Sequence, residues 1–538
     1  MNLLSKKIDE ALHPVYKQRV PVVALRALNI GVSILPPILI GVLVDNLVPN
    51  VSDFAMELIA IIAGILVLNF VLDWAQDYFW HKMEYTGTGL VRTYIFSNAI
   101  RKNYSFLHEH SVGEIESKVI HDAEIYTHSK ISSIPMLALN IMHIVIILSI
   151  SFFLSMHIAL SVVAFAAVFF VLYKFINKKL RAAALVERES YTNMMVSASE
   201  MLSGVNTIQL YGEEKYFTRR FGKVVDRYEH FLVSLRKWNG LAHSSTNKIV
   251  GILPLVAAFI GLGLYAAGGI TIGEIVIFFS LLPHLAEPIK SLTEFNIDLQ
   301  NARVVEDRLE ELLVAEKPVD DSLVQIDKIH SLEFVNLCFK YENGTEALWD
   351  VSFEVKAGDA LAVVGRSGTG KSTFLRILKR QLEPSWGDIR VNGIHHRKID
   401  EKSYINRIAV LTQDVFIFDA SVRDNIKFGK ELSDDNLSKM TKLSALGKIK
   451  LDKNAKELAA GERQRLGLAR ALACEYDILI LDEPTGELDA DTEAEIIENL
   501  KQIQNDSGYT FIIITHSKNV AEKFTDNILE LVKRKRKK

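Results

Sequence analysis

The chain has little of what marks a secreted or a nucleic-acid-binding protein. Only two of its 538 residues are cysteine, Cys338 and Cys474. Two thiols make neither a disulfide framework nor a metal site, and they fit a reducing compartment. The formal net charge is only -3, which argues against nucleic acid as the main partner. No cleavable signal peptide is visible: MNLLSKKIDEALHPVYKQR is charged and amphipathic, without a small-residue cleavage site. It is expected to form a short helix lying on the inner membrane face before a first span. No internal repeat is found, and no protease domain precedes the first apolar run.

What is present is a mixture of two textures. Hydrophobic residues make up 49% and charged residues 24%, so one region is greasy and another charged, in at least two domains. The first part holds six long apolar runs, at residues 22–44, 58–72, 131–154, 158–176, from Ile249, and 272–289. Most reach or approach the roughly 20 residues a bilayer span needs. The second is the least clean, because Asp73 ends its run early. Long charged segments with helical periodicity separate spans two and three, and spans four and five. Their basic content places them inside the cell, and an even span count keeps the C-terminal half there too. Arg26 in the first span, and His284 and Glu287 in the last, are candidates for a substrate path. The bland alternative is that they snorkel or hydrate near helix ends. A charged helix that breaks near Pro318 forms a linker. The spacing predicts domains at 1–305 (membrane), 306–330 (linker) and 331–538. The tail VKRKRKK is basic and is expected to be solvated, with contact to anionic lipid as the alternative.

From about Leu332 the pattern alternates like strands, and ALAVV enters a glycine-rich turn. The turn is Gly365-Arg366-Ser367-Gly368-Thr369-Gly370-Lys371-Ser372-Thr373. It fits G-x-x-x-x-G-K-[ST] between a strand and a helix. Glycines let backbone N–H groups turn inward around phosphate oxygens, and the helix N-terminus adds partial positive charge. Lys371 would reach the β/γ-phosphates, and the Ser372 hydroxyl would ligate Mg²⁺. Further on, DILILDEP is a buried strand ending in two carboxylates. Asp482 would hold Mg²⁺, and Glu483 would polarise an attacking water. Successive strand residues point opposite ways, so the two carboxylates take different jobs. The strand TFIIITHS delivers His516 at its end, where an imidazole could meet the γ-phosphate.

With these residues in hand, the chain resembles an ATP-binding cassette (ABC) half-transporter of the exporter type over nearly its whole length. The resemblance implies an all-α transmembrane domain of six helices followed by an α/β P-loop cassette, binding ATP and Mg²⁺. It implies that Tyr341 stacks on adenine, that Gln413 couples nucleotide to the membrane domain and joins the metal ligands, and that Asp489 in GELD forms the D-loop. It also implies coupling segments near Asp122–Tyr126 and Tyr211–Lys215. The family signature, Leu-Ser-Gly-Gly-Gln, here reads Leu458-Ala459-Ala460-Gly461-Glu462. Ala459 lacks the hydroxyl that would donate to the phosphate, a loss on the order of 1.5–3 kcal/mol. Ala460 adds a methyl where backbone should approach closely, while Gly461 keeps its backbone donor. The segment from Gln413 to Leu458 is short and lacks the acidic-glycine stretch usual before the signature. In the family each site takes its phosphate loop from one chain and its signature from the other. A weakened signature beside an intact phosphate loop therefore favours a heterodimer with a different half-transporter. The alternative is a homodimer that tolerates alanine. The reading is an ATPase that exports a small molecule, peptide or lipid across the cytoplasmic membrane of a bacterium, with no nucleic-acid partner. Import by the same fold, and a regulatory ABC subunit, stay open as alternatives.

Overall fold

The computed structural model describes residues 3–47, 53–102, 104–313, 322–341, 344–447, 449–486 and 488–532. The apolar runs become helices much longer than the runs themselves. Helix α1 is Leu3–Leu47 and α2 is Asp53–Ala99. At about 1.5 Å per residue, each is roughly twice the hydrocarbon thickness of a bilayer. Then follow α3 (Ile134–Leu154), α4 (Met156–Ser203), α5 (Glu214–Ala266), α6 (Ile272–Leu281) and α7 (Ala286–Glu310). Among the described residues four helices are long and apolar enough to cross a membrane, within Lys7–Asn46, Ala55–Ala99, Val112–Leu154 and Ile272–Leu292. Gly251–Ala266 is a shorter apolar helix at the expected fifth span. The expected fourth span lies in α4, where several side chains between 165 and 173 fall outside the described residues.

One expectation changes and two spans gain detail. The N-terminal segment is not a separate surface helix. It runs unbroken into α1, and Ile8, Leu12 and Val15 are fully buried. Their spacing forms one apolar stripe, and Leu12 lies beside Gly87 of α2. Asp73 ends the apolar run of the second span but not its helix. Helix α2 passes through it, because Asp73 Oδ1 accepts from Asn29 Nδ2 at 2.6 Å and from Gln76 Nε2 at 2.9 Å. The sixth apolar run is helical from end to end and long enough to span, as expected, but its helix type changes part-way. It passes through α6, a 3₁₀ turn at Leu282–Leu285 and α7, with Pro283 at the joint. Proline has no N–H to continue the ladder.

The chain divides into two compact units, Met1–Lys102 with Ser111–Val314, and Asn103–His110 with Ala315–Lys538. Helix α7 runs past residue 305 into the segment expected as linker, and Pro318 lies outside the described residues. Between α2 and α3, π-helical turns at Lys118–Asp122 and His128–Ser133 bracket the short helix Ala123–Thr127. The Lys118 side chain is buried there on Glu114 at 3.0 Å and Glu311 at 2.5 Å. Asp122 is buried on Arg308 at 3.2 Å. Pairing is what makes such buried charges tolerable.

The second unit holds two sheets. One is antiparallel, formed by β1 (Ser331–Lys340), β2 (Glu346–Lys356), β4 (Trp386–Val391) and β5 (Ile394–His395), in the order β2-β1-β4-β5. The other is parallel, in the order β6-β7-β8-β3-β9. Its strands are β3 (Ala360–Val364), β6 (Ile408–Leu411), β7 (Ile478–Asp482), β8 (Thr510–Thr515) and β9 (Ile528–Glu530). Strands β3 and β8 are buried along their whole length, as expected of continuous apolar runs in a parallel sheet covered on both faces. Helices α8 (Lys371–Leu378), α9 (Ala460–Leu472) and α10 (Ala490–Ser507) pack around it. The pairing of β3 with β8, and of β8 with β7, brings Val364 beside Thr515 and Ile514 beside Asp482. The carboxyl ends of the central strands therefore open at one place, where α/β sheets bind ligands.

Candidate functional site

Strand β3 ends at Val364 and the chain turns through the glycine loop into α8. Gly368 and Gly370 stand at φ 78° and 99°, left-handed values that cost glycine nothing. A Cβ on Gly370 would strike the Ala347 carbonyl, so the loop is closed from behind. Thr369 Oγ1 donates to the Arg366 carbonyl at 2.9 Å and tightens the loop from inside. Lys371 opens α8, and its Nζ donates to the Gly365 carbonyl at 2.7 Å and lies 3.5 Å from Glu483 Oε1.

Strand β7 delivers Asp482, and the next residue leaves the sheet. Glu483 has φ 49°, a left-handed conformation that costs a non-glycine residue of order 1 kcal/mol or more. Two bonds hold it there. Its N–H donates to the Ile514 carbonyl at 2.8 Å, and its carbonyl accepts from Gln464 Nε2 of α9 at 2.5 Å. Its carboxylate is gripped from β8: His516 Nδ1 lies 2.9 Å from both oxygens, and Thr515 Oγ1 donates at 3.3 Å. A carboxylate held this way can take a proton from a water and share the charge with the imidazole. Burial, and then the Glu483 charge beside it, push the Asp482 carboxyl up to about 6, against the pull of Lys371. A carboxylate so crowded is suited to a divalent cation, which relieves both effects.

One cavity of about 450 Å³ gathers these groups. It is lined by Tyr341, Ser367, Gly368, Gly370, Lys371, Ser372, Thr373, Gln413, Asp482, Glu483 and His516. The Tyr341 hydroxyl bonds Thr373 Oγ1 at 2.9 Å, which fixes the ring at the cavity wall. Gly365, Arg366 and Thr369 belong to the loop but do not line the cavity. Ala459, Gly461 and Asp489 are not brought to it either. Ala459 is the N-cap of α9 and offers no side-chain acceptor, while Gly461 lies in its first turn. Glu462 Oε2 instead accepts from the Ala459 N–H at 2.9 Å. Arg463 Nε donates to the Leu458 carbonyl at 2.9 Å and locks the approach. Asp489 caps α10: Oδ1 accepts from the Thr492 N–H and Oδ2 from its hydroxyl, both at 2.9 Å. These bonds hold its carboxyl below the usual range.

Sequence reasoning did not single out Gln464 or Thr515. Neither carries a motif signal, because each acts through a residue distant in the chain. In the membrane unit, the polar residues of the first and last spans come together. Arg26, His284 and Glu287 line one cavity, with Asn29, Asp73 and Gln76, which sequence reasoning did not assign to a site. Their signal was a three-residue spacing in each helix, Arg26 to Asn29 and Asp73 to Gln76.

Residues 22–289 match the family model described as the ABC transporter transmembrane region, and residues 348–486 match the ABC transporter model. The chain belongs to the ABC transporter family. It is 27% identical over 506 residues to the uncharacterized ABC transporter ATP-binding protein YknV of Bacillus subtilis (strain 168), covering 90% of this chain and 83% of the relative. It is 29% identical over 461 residues to an ATP-dependent lipid A-core flippase of Photorhabdus laumondii, covering 82% and 78%. Its fold is similar to that of a bacterial Atm1-family ABC exporter with ATP bound, with a TM-score of 0.81, at 20% identity and covering 96% of this chain and 93% of that one. As an ABC transporter with an ATP-binding cassette fused to a membrane domain, this protein is an ATPase coupled to transmembrane transport.

Proposed function

We propose that the protein is one half of a dimeric ATP-driven exporter in the cytoplasmic membrane of a bacterium, with two unequal nucleotide sites. The observation that carries the inequality is the first turn of α9. Ala459 offers no hydroxyl, and the Glu462 carboxylate already occupies the Ala459 N–H at 2.9 Å. That places a fixed negative charge where a phosphate would have to arrive. A helix N-terminus attracts anions because its first N–H groups are free and its dipole is unopposed. Here one donor is taken, and the charge that took it repels a second anion.

The phosphate-loop side fits ATP. The inward-turned loop, whose back would be filled by a Cβ at Gly370, is shaped for phosphate oxygens. Lys371 supplies charge, and Tyr341 stands at the wall for a base. Ser372, Gln413 and Asp482 form an all-oxygen donor set that suits Mg²⁺. ATP, with its Mg²⁺, supplies the free energy and the leaving phosphate. Glu483 orients water and takes its proton, and His516 and Thr515 hold that carboxylate in place. In a head-to-tail pair, a partner with an intact signature completes the site over Lys371. The partner's own phosphate loop then faces Ala459 and Glu462 and turns over slowly. Asp489 of each chain stands at the boundary between the two sites.

The relatives named as lipid A-core flippases support an exporter whose cargo has a lipid or amphipathic character. The test is to tag the chain, extract it gently from its native membrane and identify what co-purifies by mass spectrometry. A second, different ABC half at one-to-one ratio is the expected result. Recovery of this chain alone, with full ATPase activity, would sink the unequal pair and mean that the Gly461 backbone suffices.

A further inference from the structure

The membrane unit contains a cavity of about 420 Å³ whose walls carry more polar groups than they satisfy. That volume suits a small solute or one head group. On one wall, Asp73 Oδ1 takes hydrogen bonds from Asn29 Nδ2 and Gln76 Nε2. Both amides must present N–H₂ to the carboxylate, so both turn their carbonyl oxygens elsewhere. Those oxygens, Asn29 Oδ1 and Gln76 Oε1, are buried with no donor among the described residues. Their residues are only 6% and 8% exposed. A buried acceptor without a donor is costly, and native structures rarely leave one so. Here two stand beside a carboxylate. Neither oxygen opens onto the cavity, so what this wall presents to a ligand is the Asp73 carboxylate, whose complement is an ammonium group with three N–H donors and no acceptor.

One turn away from Asn29 on α1 stands Arg26. Its guanidinium lies over the Trp80 ring at 5.2 Å and makes no hydrogen bond or contact ion pair among the described residues. The Asp73, Asp77 and Glu287 carboxylates act on it only at longer range. A guanidinium inside an apolar span needs a partner anion, and its fork matches phosphate or carboxylate. We infer that this cavity binds a zwitterionic group, with its ammonium on the Asp73 carboxylate that Asn29 and Gln76 hold in place, and its phosphate or carboxylate on Arg26. Such a group belongs either to the head of an aminophospholipid or to a free amino acid or short peptide. The role of this cavity as a cargo site rests on the transport reading above; its binding chemistry does not.

The test uses the full-length transporter, with any chain that co-purifies, in phosphatidylglycerol nanodiscs. Equilibrium dialysis without ATP measures binding of radiolabelled glycerophosphoethanolamine, a free zwitterion. Glycerol phosphate and ethanolamine, its two halves, are measured beside it. The zwitterion is expected to bind about ten-fold or more tightly than either half, because it satisfies both Asp73 and Arg26. Arg26→Gln and Asp73→Asn are each expected to weaken it about ten- to a hundred-fold, and Arg26→Lys to recover part of the loss. The halves are compared on the unaltered protein, so a variant that misfolds does not decide the matter. A second arm asks which source raises ATP hydrolysis: phosphatidylethanolamine built into the disc, or glycylglycine in solution. Stimulation by the first assigns a lipid head, and by the second a free solute. Binding of a half as tight as the whole, or no binding of any probe, overturns the inference and leaves the cluster as adhesive between α1 and α2. A protein that binds the zwitterion but never hydrolyses ATP would sink the transport reading and leave the binding inference standing.

Discussion

At the start of α8, Gly370 stands at φ 99° behind the glycine loop, and the first helical residue is Lys371, whose ammonium lies within the loop's reach on the Gly365 carbonyl. At the start of α9, Ala459 has extended backbone, and the nearest charge is the Glu462 carboxylate on its own N–H. Both are helix N-termini on one small α/β unit, with the same dipole. What separates them is what the first turn does with its free donors. The first is kept open by glycine and made positive by lysine. The second is closed by its own third residue. Anion binding at a helix start is therefore not a property of helices alone; it is a property that one side chain can cancel.

The strongest way to sharpen this contrast is to remove the open side's chemistry. Glu483→Gln is expected to lower steady-state phosphate release by about 10²- to 10⁴-fold, the usual span for a lost general base. Retained release would place the proton acceptor elsewhere. A smaller change comes from rebuilding the closed side. In the Glu483→Gln background, which silences the site over Lys371, the triple variant Ala459→Ser, Ala460→Gly, Glu462→Gln is expected to raise the remaining phosphate release about ten-fold, the worth of one charge-assisted hydrogen bond. No change would mean that α9 never limits turnover, and the contrast would then have no catalytic weight. The smallest effect is that of Glu462→Gln alone. In the same Glu483→Gln background it is expected to speed the remaining phosphate release about two- to five-fold by removing the competing charge. It also gives up about 0.3–1 kcal/mol of helix-terminus stabilisation, readable as a lower urea midpoint. Faster turnover with unchanged stability would show that Glu462 does not cap the helix in solution.

The phosphate loop and the strands around it were legible because their information is contiguous. A buried strand, a glycine pattern and a helix follow one another within about a dozen residues, so local spacing suffices. The membrane part was legible as spans but not as shape. Asp73 read as the end of an apolar run, and composition cannot say that Asn29, distant in the chain, supplies a donor at 2.6 Å. The 3₁₀ joint at Leu282–Leu285 was signalled by Pro283, yet hydropathy averages over it. The altered signature was legible as missing atoms: a hydroxyl gone at Ala459. That its replacement, Glu462, turns back on the same N–H needed coordinates. So did the bond from Gln464 to the Glu483 carbonyl, since nothing in the order of residues links the start of one helix to the end of a strand.

The bond between Asn29 and Asp73 also bears on how the chain enters a bilayer. A lone helix carrying aspartate at its centre costs about 2.5–3.5 kcal/mol to insert. Helix α2 carries Asp73 and Gln76 directly after its apolar run, so part of that cost falls on it if it inserts by itself. Helix α1 emerges from the ribosome first and already holds Asn29. The two therefore make a natural unit of membrane entry, a hairpin whose second limb is admitted by the first. On that account, replacing Asn29 would be felt first in biogenesis, as chains that never acquire their topology, before it was felt in any turnover number.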